Sequence, residues 1–183
     1  MRVKQQNEEV LYADGRIVMV GRQDIEFLKA KADMNQRKRI RLCAHRTVDD
    51  SLHEMLIVHT RDTYVRPHKH VNKTESFHLI EGSAQVVVFD EEGNILEIVQ
   101  MGDYSSGKQF YYRMAESLYH TLLITSDHLV FHETANGPFI RSDTVFPPWA
   151  PDGNDDTARK EFVERLLQSV KSFLSQHTAE AQA

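Results

Sequence analysis

Ten histidines stand in this chain, and three of them fall within eleven residues, at positions 68, 70 and 78, with a glutamate among them at 75. The stretch reads Tyr64-Val65-Arg66-Pro67-His68-Lys69-His70-Val71-Asn72-Lys73-Thr74-Glu75. On an extended segment, side chains two apart project to the same side, and Pro67 favours an extended backbone at Arg66. After a short loop Glu75 opens a new strand. Two imidazoles and a carboxylate are thereby expected to meet at one point, a nitrogen/oxygen ligand set suited to a borderline divalent transition metal. His120, in the strand-like run Leu118-Tyr119-His120-Thr121-Leu122, is the expected fourth ligand; the competing reading is a core histidine bonded to a carbonyl. By strand parity His78 faces away from Glu75.

Tyr64 and Arg66 share the parity of His68 and His70, so both are expected at the cavity mouth as substrate contacts. A guanidinium there suits a phosphorylated or acidic ligand; a rim salt bridge is the plainer alternative. Arg37, Arg39, Arg41, Cys43 and His45 alternate along one face. The sharper reading makes Arg39 a phosphate contact over the mouth, whereas the favoured one is a charged edge strand that resists sheet-to-sheet pairing. His132, Glu133 and Tyr119 are weak candidates for acid–base work. Cys43 has no local base, so a nucleophilic role is not expected.

These residues need a scaffold. Short strand-like runs are expected at 38–43, 54–60, 62–66, 75–81, 84–90, 95–100, 109–113, 118–125 and 129–134, with turns at Glu81-Gly82-Ser83 and Glu91-Glu92-Gly93-Asn94. Many short strands with no long helix between them predict an all-β antiparallel barrel or sandwich. Ahead of it, a hairpin is expected around Asp14-Gly15, pairing 10–13 with 16–20, then a short helix over 23–34. Behind it, Pro147 to Gly153 is stiff and irregular. Phe162, Leu166, Val170 and their neighbours recur at helical spacing over 157–175, and the end from about Thr178 is expected to fray. The expected division is 1–36 (hairpin and helix arm), 37–146 (barrel) and 147–183 (linker and helix).

Composition trims the functional classes. With 22 basic and 27 acidic residues the net charge is −5, which argues against nucleic-acid binding through bulk electrostatics. No apolar run reaches the roughly 18 residues of a membrane span, the start lacks a secretory signal, and one cysteine cannot form an internal disulfide. A soluble, cytoplasmic protein is the expectation.

His-x-His-x4-Glu-x6-Gly at His68, His70, Glu75 and Gly82 resembles the first motif of the cupins. Gly102-Asp103 and His120 stand for parts of the second, with seventeen residues between Gly102 and His120; the opening glycine of the first motif is replaced by Asp62. Together with Arg37-Lys38-Arg39, Phe89-Asp90 and Asn136-Gly137-Pro138-Phe139, the chain resembles the WbuC-type cupin-fold metalloproteins, associated with bacterial O-antigen and surface-polysaccharide gene clusters. The resemblance implies a cupin-type jelly-roll barrel with a metal inside; iron, manganese, nickel and zinc all suit the ligand set, and a homodimer is expected by analogy with single-domain barrels that use added terminal elements at subunit contacts. It also implies a small sugar-derived ligand, by analogy with cupin nucleotide-sugar epimerases and isomerases. An iron-dependent oxygenase and a non-catalytic binding cupin with a structural metal are the alternatives.

Overall fold

A computed structural model describes residues 1–180. Twelve strands and two α-helices follow in the order β1 (Val3–Gln5), β2 (Val10–Ala13), α1 (Arg22–Met34), β3 (Arg39–Cys43), β4 (Leu52–Thr60), β5 (Lys69–His70), β6 (Glu75–Glu81), β7 (Ser83–Phe89), β8 (Ile95–Gly102), β9 (Tyr111–Met114), β10 (Tyr119–Ile124), β11 (His128–Asn136), β12 (Thr144–Val145) and α2 (Asp156–Glu180). A seven-stranded sheet runs β1-β2-β3-β4-β11-β6-β9, faced by β10-β7-β8, with β12-β5 closing one end. All pairings between these strands are antiparallel except β2 with β3, which α1 connects as a crossover.

The apolar residues of the strands divide by parity into layers. Met55 and Ile57 of β4, Phe77 and Leu79 of β6, Val86 and Val88 of β7 and Phe131 of β11 meet between the two sheets. Val87 and Phe89, the alternate residues of β7, face outward and are covered by Phe162, Leu166 and Val170 of α2. This explains why β7 and β10 carry apolar residues at successive positions: both of their faces are covered. On the back of the large sheet Leu28 and Ala32 of α1 pack on Ile40, Leu42, Val58 and Val130. The Asp155 carboxylate accepts the Thr157 and Ala158 amides (2.9 and 3.0 Å) and starts α2.

Gly82 makes the corner between β6 and β7 with φ +93°. A Cβ there would lie 2.2 Å from the His128 carbonyl oxygen, so the turn read at Glu81-Gly82-Ser83 is tied to glycine. The turn at residues 90–94 also forms: Asp90 accepts the Glu92 and Asn94 amides (3.0 and 2.8 Å).

Three local expectations need correction. Strand β2 pairs not with 16–20 but with β1, Val3 opposite Ala13; Asp14-Gly15 leads instead into the irregular approach to α1. Residues 62–66 form no strand. The Arg39–Cys43 strand is not an edge, because β2 adds alongside it in parallel. The helix over 157–175 forms and continues to Glu180; of the end expected to fray, 181–183 lie outside the described residues. No helix among the described residues is long and apolar enough to cross a membrane.

Candidate metal centre

His68 and His120 are clamped opposite each other. The His68 amide donates to the His120 carbonyl (3.1 Å) and the His120 amide to that of His68 (2.9 Å). Each ring is then fixed by its Nδ1–H, which donates to a local carbonyl: Arg66 for His68 (2.8 Å) and Leu118 for His120 (3.0 Å). His70, in β5, has its Nδ1 3.3 Å from the Thr144 hydroxyl of β12. Anchoring Nδ1 turns each Nε2 inward, which is how ligating histidines are ordinarily oriented. Ligand nitrogens of His68, His70 and His120 lie within 4.8 Å of one another. Glu75 is buried among them, with Oε1 3.0 Å from His120 Nε2 and Oε2 3.3 Å from His70 Nε2.

Electrostatics follow from this burial. Burial and the neighbouring His120 and His70 hold His68 down at about 3, in its neutral, metal-binding form. For Glu75 burial opposes ionisation, but the hydrogen bonds of His120 and His70 more than reverse it and hold the carboxyl well below its ordinary range. Burial would depress His120, yet the Glu75 carboxylate raises it. Three neutral-capable imidazoles and one ionised carboxylate fit a divalent metal in donor chemistry and orientation.

The cluster lies in a cavity of about 390 Å3 between the sheets. Glu133 of β11 borders it, its carboxyl raised by burial and by the negative charge of Glu75. Arg39 borders it too, ion-paired with Glu9 (2.7 Å). His132 does not: it alternates with Phe131 and Glu133, pairs across with His78 on the outer face, and lies 3.9 Å from Glu54. Tyr119 likewise faces away from His120's side, packing on Trp149 under α2.

Tyr64 and Arg66 are not brought to the cavity. The Tyr64 hydroxyl donates to the Pro151 carbonyl (2.9 Å), and Arg66 lies over Phe146 (4.6 Å) and donates to the Ala150 carbonyl (3.2 Å). Val65 borders the cavity instead. Strand parity cannot be carried from 64 to 68 because residues 63–67 leave the sheet before His68 re-enters it.

Three residues enter the cavity that the histidine motif does not point to, His53 and His59 of β4 and Lys73 from the loop before β6, and Tyr112 of β9 borders it as well. His53 and His59 share the parity of the core residues Met55 and Ile57, a signal that was available. With β3 interior, Arg41, Cys43 and His45 also border the cavity, so the face assigned to edge protection points at the site.

Comparison with known proteins places the fold. A family model described as a domain of unknown function (DUF6016) matches residues 20–101. No curated protein matches the sequence. The chain is similar in structure to the capsular polysaccharide assembling protein CapF from Staphylococcus aureus (TM-score 0.50, 16% identity, covering 62% of this chain and 32% of that one). It is also similar to protein SO0799 from Shewanella oneidensis (0.49, 10%, covering 58% and 72%) and to the oxalate decarboxylase OxdC of Bacillus subtilis (0.46, 19%, covering 59% and 27%). The chain thus spans about a third or less of CapF and of the decarboxylase. The fold is a cupin-type β-barrel with a short N-terminal helix and a C-terminal helix. Its interior carries a histidine cluster able to hold a metal.

Proposed function

We propose that this protein is a metal-dependent enzyme that isomerises or epimerises a small sugar-derived substrate, in the surface-polysaccharide setting implied by its resemblance to the WbuC-type cupins. His68, His70, Glu75 and His120 would hold the metal. As part of the same reading, residues 37–146 are the cupin unit, and the protein acts in the cytoplasm as a homodimer.

The observation that carries the reading is a second carboxyl in the same cavity. Glu75 is committed to the imidazoles, while Glu133 borders the cavity with no ion-pair partner among the described residues and a raised pKa. Two carboxyls pushed in opposite directions is the arrangement acid–base chemistry uses. A divalent metal in the cluster would polarise a substrate oxygen and acidify the adjacent C–H. Glu133 takes that proton on its carboxylate and returns it, and burial beside Glu75 raises its affinity for that proton. Apolar Met55, Ile57 and Phe131 border the same space and limit water around the exchanging proton.

The test is metal analysis combined with isotope exchange. Purified protein should contain near-stoichiometric metal that His70→Ala loses. Incubated anaerobically in D2O with sugar phosphates and nucleotide sugars, the metal-loaded protein should introduce deuterium into its substrate, and Glu133→Gln should lose exchange while keeping metal. Turnover that requires oxygen, or exchange undiminished in Glu133→Gln, would refute the reading.

A further inference from the structure

Two cations on the cavity wall lack partners. Arg39 is matched by Glu9, but the side chains of Arg41 and Lys73, both bordering the cavity, meet no carboxylate and no hydrogen-bond acceptor among the described residues. The cavity lining carries Arg39, Arg41 and Lys73 against Glu9, Glu75 and Glu133, and with Glu9 held by Arg39 and Glu75 by the imidazoles, exposed Arg41 and half-buried Lys73 are the cations left for a ligand. Both cations lie near enough to Glu133 to favour its ionised form, but neither contacts it. Glu75 is engaged by His70 and His120, and Glu133 forms no ion pair with either cation. Asp143 borders only the adjoining recess.

His53 is a third, independent sign. It is 6% exposed and its Nε2 has no hydrogen-bond partner, a costly condition for a buried polar atom. Its ring is stacked on His45 (centroids 4.1 Å apart, planes within 4°), whose Nδ1 is held against the Glu54 backbone. His53 borders both the main cavity and a recess of about 210 Å3, and Lys73 borders both as well. An acceptor atom where the two spaces join would meet the imidazole and Lys73, with Arg41 on the wall of the main cavity.

The register fixes where this lies relative to the imidazole cluster. His53 of β4 and Glu75 of β6 are each paired with Ala135 of β11, on opposite sides of it. They are therefore two strand spacings apart, roughly 10 Å.

We propose that Arg41, Lys73 and His53 form an anion-binding subsite, and that the ligand of this cavity is a sugar phosphate or sugar acid whose charged end is held there while its other end lies against the imidazole cluster. The subsite stands on its own residues; only the identification of its ligand as a substrate rests on the function proposed above.

The experiment is calorimetric titration of the full-length protein with D-glucose 6-phosphate, D-glucuronate and D-glucose. At least one charged sugar should bind saturably and at least about tenfold more tightly than glucose; which of the two binds better separates phosphate from carboxylate. Arg41→Gln and Lys73→Gln, both at positions outside the apolar core, should each weaken the charged sugar by about tenfold and leave glucose unaffected. Arg61→Gln, a surface cation paired with Asp127, should have no effect. Absence of saturable binding, equal binding of glucose, or equal weakening by all three variants would overturn the subsite. Loss of charged-sugar binding in chelator-treated protein and in His70→Ala would also overturn it, because the anion would then sit at the imidazole cluster. Binding that persists in a His70→Ala protein supports the subsite, even where metal analysis has refuted the metal-dependent reading.

Discussion

Acid should unfold the metal-free protein well above the carboxylate range, and the buried histidines set how steeply. His59 is buried, its Nδ1 has no partner, and burial with Arg39 and Arg37 nearby brings it down to about 3; His68 reaches about 3 by burial beside His120 and His70. In both cases the folded value lies below the unfolded one, near 6.5. Between the two, the unfolded chain takes up a proton that the folded chain refuses. Stability is therefore complete above pH ~6.5 and falls as the pH drops toward 3. Each histidine removes about 1.4 kcal/mol per pH unit in that window, so the pair removes about 3 kcal/mol per unit. Against a typical stability of about 5–15 kcal/mol, a fall from pH ~6.5 to ~5 is a large fraction of the whole.

Two other groups act on this slope in opposite directions: Glu133, raised when folded, opposes it, and His45, lowered by burial, adds to it. Glu75, depressed when folded, contributes above its unfolded value of about 4.3 and adds to the loss only below it. His120, raised when folded, contributes fully below about 6.5 and loses that contribution on the alkaline side. The assay is urea unfolding of chelator-treated protein at several pH values between about 7.5 and 5, followed by circular dichroism and by the single tryptophan. His59→Leu removes one titrating group and its unpartnered nitrogen, so it should roughly halve the slope. A flat stability across this range, or an unchanged slope in His59→Leu, would refute the reasoning.

Other outcomes are expected. Glu75→Gln keeps the shape of the side chain but removes the charge facing His70 and His120, and should weaken metal binding by more than about tenfold in competition with a chelating dye. Gly82→Ala places a Cβ 2.2 Å from the His128 carbonyl oxygen and 2.5 Å from the Ser126 hydroxyl at φ +93°, and should cost about 3 kcal/mol in unfolding free energy. Arg66→Ala should lower stability by about 1–2 kcal/mol through the lost Phe146 and Ala150 contacts, with charged-sugar affinity unchanged by titration; a drop in affinity with stability intact would restore Arg66 to the cavity.

What could be read in advance was what local chain geometry determines. The two-residue spacing of His68 and His70, the short return to Glu75 and the glycine at 82 are consequences of strand alternation and a tight corner, and both act over a few residues. The helical stripe of Phe162, Leu166 and Val170 is of the same kind. Parity fails where the chain leaves the sheet: counting through Pro67 places Tyr64 and Arg66 at the cavity, but the irregular stretch 63–67 breaks the count. The hairpin at Asp14-Gly15 failed because β2 found a better partner in Val3–Gln5, leaving its other edge for β3.

The cavity's character depended on a pairing that no local rule reports. Whether Arg39, Arg41, Cys43 and His45 guard an edge or face a site turns on whether another strand lies beside β3. That strand, β2, comes from far earlier in the chain and is carried across by α1. Once β2 is in place, Leu42 and Ile40 are buried against α1 on the back of the sheet, which turns the arginines of the same strand forward. The packing of one amphipathic helix on β3 thus brings Arg39 and Arg41 to the wall of the cavity that holds the imidazole cluster. The same packing places Arg41 on the wall where the proposed anion subsite lies.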